Sequence, residues 1–169
     1  PTRVSGLYVK QILSYANTII VLDNENRIWT WGQNSYGQCG TGGTANKMTP
    51  GKVSDSEGNI ITVDKVISQG TTNIVQDTEG RIWAWGQNSY GQCGTGNKVS
   101  VLTPTQINES NGLIVKEVMT AVTSTSMHIV KDTENKIWTW GYNGSGLCGT
   151  GDNVNVLQPT CISTETDFQ

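Results

Sequence analysis

Laid over one another, residues 27–42 (RIWTWGQNSYGQCGTG) and 81–96 (RIWAWGQNSYGQCGTG) differ at one position in sixteen. Residues 136–151 (KIWTWGYNGSGLCGTG) are a third, more drifted copy, and the offsets are 54 and 55 residues. Pro50, Pro104 and Pro159 each fall 21 residues after Trp29, Trp83 and Trp138. PTRV at the start, PGKV at 50, PTQI at 104 and PTCI at 159 look like the same unit start. The sequence therefore divides into units at 1–49, 50–103 and 104–158, with 159–169 as the start of a fourth. Self-similarity at a fixed period means an array, in which one unit cannot bury its apolar face alone and neighbours cover it.

Inside the unit the period is that of strands. Trp29 and Trp31, two apart, point to one face of an extended chain, while Ile28 and Thr30 point to the other. The pairs Trp83/Trp85 and Trp138/Trp140 repeat this and complete the six Trp of the chain. A second β-rich run precedes each pair, at 18–22, 73–76 and 128–131. Between the runs lie DNEN, DTEG and DTEN, ending in the residues that tolerate a left-handed backbone. That is hairpin chemistry. A further strand is expected before each hairpin, as at 63–68 and 115–122, and a fourth after the unit-start Pro, around Val53 and Ile107. Four short antiparallel strands per unit predict an all-β chain of β-propeller-type blades, three in number.

Composition agrees. Twenty glycines in 169 residues exceed the usual share of about 7% and suit many tight turns. Charged residues are only 15%, and the net charge is −3. The basic residues are scattered, so the concentrated patch of a nucleic-acid groove is not in view. No apolar run approaches the roughly 20 residues of a membrane span; the longest is the four residues 19–22. No leader-like segment opens the sequence, and a start at Pro1 instead of Met suggests a processed or excised chain.

The motif D-x-E-[GN]-[RK]-I-W-x-W-G-x-N-x-x-G-x-x-G-T-G, followed by Pro, closely resembles the repeat of the regulator of chromosome condensation family. The resemblance recurs three times over nearly the whole chain. It implies a β-propeller, typically of seven blades, and protein partners. The family's G-Q-L-G becomes Gly37-Gln38-Cys39-Gly40 and Gly91-Gln92-Cys93-Gly94, and departs further as Gly146-Leu147-Cys148-Gly149. Of its G-x-x-H, only Gly70 matches the glycine and only His128 the histidine. Its nucleotide-exchange activity depends on a β-wedge insertion for which no unit here has room. Plant UV-B photoreceptors resemble the family but carry G-W-R-H-T, whereas Thr71 follows Gly70 here. The Asn- and Thr-rich composition is similar in style to secreted bacterial members.

Several residue groups invite a chemical reading. Gly37, Gly40 and Gly42 lack the Gly-Lys-Ser/Thr of a phosphate loop and recur as turn glycines. Asp23/Glu25, Asp77/Glu79 and Asp132/Glu134 sit in hairpin turns, where Asp satisfies its own backbone. Glycoside hydrolysis would need two carboxylates across a cleft. Cys39, Cys93 and Cys148 share one repeat position and read as small buried hydrophobes, too far apart for disulfides. With no C-x-x-C, zinc is not expected. Cys161, outside the repeat position, is expected nearer the surface. His128, the sole histidine, and the six Trp (29, 31, 83, 85, 138, 140) read as blade core. The reading is of a protein without catalysis, cofactor or metal.

What varies between units is where recognition is expected. The segments 53–62 and 108–115 are longer loops carrying Asp55, Glu57 and Glu109, and 43–49, 97–103 and 152–158 vary as well. These three acidic residues are the candidate partner contacts of an interaction scaffold. An alternative follows from the unit count. Propellers usually close with about 4–8 blades, so three form an open arc with uncovered ends. The chain is then a piece of a larger propeller, or a self-assembling structural or cell-surface block whose blades complete one another between copies. Residues 159–169 could lend a strand to such a partner. As to compartment, buried thiols suit a reducing cytosol, whereas the low charge suits export.

Overall fold

The computed structural model describes residues 6–13, 17–68, 70–107, 111–119 and 126–162. They form three four-stranded antiparallel sheets and no helix. The first sheet holds β1 (Val9–Ile12), β2 (Thr18–Asp23), β3 (Ile28–Gly32) and β4 (Lys47–Lys52). The second holds β5 (Val63–Ser68), β6 (Thr72–Asp77), β7 (Ile82–Gly86) and β8 (Val101–Gln106). The third holds β9 (Val115–Val118), β10 (Met127–Asp132), β11 (Ile137–Gly141) and β12 (Val156–Cys161). In each sheet the strands lie in chain order. These are blades of a propeller, and the three sheets form an open set, not a closed ring.

The central hairpin of each blade follows from its turn residues. Asn26, Gly80 and Asn135 take φ of 60°, 81° and 65°. The turn's Asp braces it: Asp77 Oδ1 accepts from the backbone of Glu79 (2.9 Å) and Arg81 (3.0 Å). Asp23 and Asp132 do the same in their turns. The other Asp77 oxygen accepts from Arg81 Nε (2.6 Å) and from Trp83 Nε1 (2.8 Å). One carboxylate thus ties the turn to the first Trp of the next strand.

The second Trp of each pair is followed by a glycine that nothing else can replace. Gly32, Gly86 and Gly141 take φ near +100° at a bulge in the pairing with the outer strand. A methyl group on Gly86 would lie 2.1 Å from the Thr71 carbonyl oxygen. Backbone conformation and close approach both demand glycine there.

The outer strand corrects the sequence reading. It was expected after the unit-start Pro, near Val53 and Ile107, but β4, β8 and β12 contain Pro50, Pro104 and Pro159 and end before those residues. Proline tolerates an edge strand because its missing N–H can face away from the ladder. The sequence unit and the sheet are therefore out of phase. Pro159 to Cys161 lie in β12, which pairs with β11 in the third sheet, and residues 163–169 of the expected fourth unit lie outside the described residues. The variable segments at 43–49, 97–103 and 152–158 likewise run into these strands.

The cores lie between blades. Ile20, Leu22, Ile28 and Val53 of the first blade pack with Val63, Val75, Trp83 and Trp85 of the second. Ile74, Ile82, Cys93 and Ile107 of the second pack with Val115, Val130 and Trp140 of the third. Each blade offers an isoleucine face to the next blade's tryptophan face. Burying such a side chain stabilises by about 1.5–3 kcal/mol, so the joints, not the isolated sheets, hold the arc together.

Candidate interaction surface

The surface is set by two things, the joints that fix the blades and the loops those joints hold out. Each joint is built around a loop that begins at a buried asparagine. Asn34 Nδ2 donates to the carbonyls of Gly43 (2.8 Å) and Ala45 (3.0 Å), and its Oδ1 accepts from the Cys39 backbone (2.8 Å). Asn88 and Asn143 repeat the arrangement around Cys93 and Cys148. The asparagine folds the glycine-rich loop into one shape and aims a carbonyl at the following blade.

That carbonyl receives the next blade's second tryptophan. Trp85 Nε1 donates to Gln38 O (3.0 Å), and Trp140 Nε1 donates to Gln92 O (3.0 Å). Asn73 Nδ2 also donates to Gln38 O (2.9 Å). At the equivalent position His128 hydrogen-bonds the Gln92 backbone. Two backbone contacts complete each joint: Gly42 N donates to Leu102 O and Gly96 N to Leu157 O, both at 2.9 Å. Gly37 and Gly91 lie so close to Leu102 and Leu157 that an added methyl group would stand 2.5 Å from the leucine Cδ2.

The candidate core residues fall into two sets. Cys39, Cys93, Cys148, His128, Trp83, Trp85 and Trp140 are buried. Trp29, Trp31 and Trp138 are half-buried. The thiols carry no disulfide, and Cys161 is exposed. Burial pushes the Cys93 thiol up to about 12 and raises Cys39 and Cys148 as well. Burial lowers His128 to about 4, against the opposing Gln92 hydrogen bond. Its Nε2 has no hydrogen-bond partner. Such groups pack; they do not titrate or attack at neutral pH. Among the described residues no three His, Cys, Asp or Glu gather as a metal site, and no helix is long and apolar enough to cross a membrane.

Of the three acidic loop candidates, the structure brings two together. Ser54 pairs with Ile60, closing a lobe at 54–60. Asp55 builds that lobe. Its Oδ1 accepts from the backbones of Glu57 and Asn59, both at 2.9 Å, and its Oδ2 from Asn59 Nδ2 (3.0 Å). Desolvation opposes the charge, but the Asn59 and backbone hydrogen bonds outweigh it and hold Asp55 below the usual carboxylate range. Glu57 projects from the lobe, exposed. Glu109 lies outside the described residues.

Sequence reasoning missed the asparagine brace, the Asp–Trp link and the Gln38 and Gln92 carbonyls. All recur in the motif. Recurrence marks them as structural, but no local pattern shows that an indole at 85 seeks a carbonyl at 38.

Blades joined through tryptophan, with loops held on their rims, define a repeat propeller. The Regulator of chromosome condensation (RCC1) repeat pattern matches residues 25–68, 79–130 and 134–168, and a second RCC1 repeat pattern matches 9–38. The chain belongs to the RCC1 repeat family. It is 30% identical over 149 residues to the E3 ubiquitin-protein ligase HERC2 of Homo sapiens, covering 88% of this chain and 3% of HERC2. It is 30% identical over 108 residues to the Ultraviolet-B receptor UVR8 of Arabidopsis thaliana, covering 63% of this chain and 24% of UVR8. Among solved structures, human WBSCR16 superposes with a TM-score of 0.76 at 22% identity, over 96% of this chain and 39% of that one. Prp20p from Saccharomyces cerevisiae, studied for its binding to Gsp1p and histones, gives 0.76 at 20% identity, over 95% and 39%. The chain thus spans a minor part of each relative.

Proposed function

We propose that this chain is a non-catalytic protein-interaction scaffold whose variable loops contact a protein partner. The observation that carries the reading is the lobe at 54–60, which is shaped by its own Asp55 and held on a blade with Glu57 exposed, its carboxylate accepting only a long hydrogen bond from Asn59 (3.4 Å) among the described residues. RCC1-type propellers are typical of such scaffolds, and Prp20p binds Gsp1p and histones. The motif residues are consumed in holding blades, which leaves the loops for recognition. Glu57 and Glu109 would meet a basic surface of the partner. Asp55 would act one step removed, by shaping the lobe.

The test is a pull-down with immobilised chain, comparing wild type with Glu57→Lys, Glu109→Lys and both together. The reading expects a partner retained by wild type and lost from the double variant, with thermal stability unchanged. Equal retention by all of them would place recognition elsewhere.

A further inference from the structure

Two Asn-Gly pairs stand in the chain, Asn111-Gly112 and Asn143-Gly144. Such a pair can react with itself, because glycine lacks the Cβ that would keep its backbone nitrogen away from the asparagine side chain. The reaction needs that nitrogen to reach the asparagine Cγ, so it depends on how the side-chain amide is held. The structure holds the two amides in opposite ways.

Asn143 is one of the three loop braces and is fully buried. Its Oδ1 accepts from the Cys148 backbone (2.8 Å), and its Nδ2 donates to Asp152 O (3.1 Å), Val154 O (3.0 Å) and Thr150 Oγ1 (3.1 Å). Both ends of the amide are fixed, and turning Cγ towards Gly144 N breaks these bonds together. Asn34 and Asn88, each followed by serine, are held in the same way. Asn111 lies in the connection between β8 and β9 and is half-buried. The one hydrogen bond of its side chain among the described residues runs from Leu113 N to Oδ1 (3.0 Å). Gly112 is exposed at φ +67°, with nothing within 4 Å of a built methyl position. Its N–H finds no acceptor among the described residues. The segment is anchored just beyond the pair: Leu113 is buried, and Val115 N donates to Gln76 Oε1 (2.9 Å) on the second blade.

We propose that Asn111 is a self-modification site, converted in the folded chain to aspartate and isoaspartate with water as the co-reactant. Gly112 N gives its proton to solvent base and attacks Asn111 Cγ. The new N–Cγ bond closes an imide ring, the Cγ–Nδ2 bond breaks, and Nδ2 takes a proton from solvent and leaves as ammonia. Leu113 N–H, already on Oδ1, stabilises the negative charge that gathers on that oxygen during the attack. Water then opens the imide. Cleavage of the N–Cγ bond restores the main chain and leaves a carboxylate on the side chain. Cleavage between Gly112 N and the carbonyl carbon of residue 111 leaves the main chain running through Cγ, as isoaspartate. Nothing is oxidised or reduced: amide and water become carboxylate and ammonium. Either product adds a negative charge to the segment 108–115, which already carries Glu109, and isoaspartate also lengthens the backbone by a methylene. The inference goes beyond the loop reading, because it holds whether or not that segment meets a partner.

Peptide mapping by mass spectrometry tests it, with aspartate and isoaspartate separated, on the chain incubated in mildly alkaline buffer at body temperature. A sample unfolded in denaturant supplies the reference rate for each pair. In the native chain Asn111 should convert at a rate close to its unfolded rate. Asn143 should convert at least about tenfold more slowly than its own unfolded rate, because several hydrogen bonds must break first. Asn111→Ser, whose hydroxyl can still accept from Leu113 N, should remove the early ammonia release of the native chain without changing its melting. A native chain that holds back Asn111 as strongly as Asn143 overturns the proposal, as does one that converts Asn143 as fast as Asn111. Ammonia release that Asn111→Ser leaves unchanged overturns it too.

Discussion

His128 and Asn73 occupy one register position, opposite Trp140 and Trp85. Both bond the carbonyl that receives the tryptophan, but only histidine can take a proton. Burial lowers its folded value from 6.5 to about 4. The folded state then binds fewer protons than the unfolded state, so stability falls as pH drops from 6.5 towards 4. The loss is about 3 kcal/mol by linkage. Asp23 acts in a lower window. Burial opposes its charge, but hydrogen bonds from Trp29, Arg27 and the backbone hold it at about 2. Its contribution is present above 3.8 and is lost only as pH falls towards 2. Denaturant unfolding at pH 7 and pH 4.5 should therefore show a drop that His128→Asn abolishes. Equal drops in both proteins would contradict the assignment. The four cysteines divide in the same way. Cys161 alone is exposed, and burial raises the other three thiols. One thiol should react with a disulfide reagent in the native chain, and four after denaturation. Two or more fast thiols would mean that a blade opens.

At the scale of the element, the hairpins were legible and the outer strands were not. A turn closed by Asn, Gly or Asn after Asp states its backbone conformation locally, and φ is positive at each of these residues. The outer strand contains a proline, which reads as a boundary because it withholds a donor. On an edge strand that cost disappears, so the boundary was placed several residues late. The same limit applied to the site. The W-x-W spacing put both rings on one face, but the acceptor for the second ring lies 47 residues away on another blade. The bulge glycines are the element's most sensitive points. Gly86→Ala sets a methyl group 2.1 Å from a carbonyl oxygen at φ +103°. It should cost at least about 3 kcal/mol, a fall in Tm of roughly 6–12 °C. Gly43→Ala meets nothing within 4 Å and should change stability by less than about 0.5 kcal/mol. Similar melting of the two variants would refute the account of the bulge.

At the scale of the molecule, the chain behaves as a row of identical joints. Its stability is a sum over blades and joints, as in other arrays. The number of blades follows from the number of units in the sequence. The joints do not, because the unit phase read from the sequence differs from the phase of the sheets. The measurement that tests the account most directly is hydrogen exchange at the six indole N–H groups, followed by NMR. Five indoles have acceptors within the chain: Asp23, Asp77 and Asp132 for Trp29, Trp83 and Trp138, and Gln38 and Gln92 for Trp85 and Trp140. The account predicts that Trp85 and Trp140 exchange slowly. Trp31 is half-buried and its indole has no acceptor among the described residues, so it should exchange faster than both. Trp85 and Trp140 indoles that exchange as fast as Trp31 would contradict it.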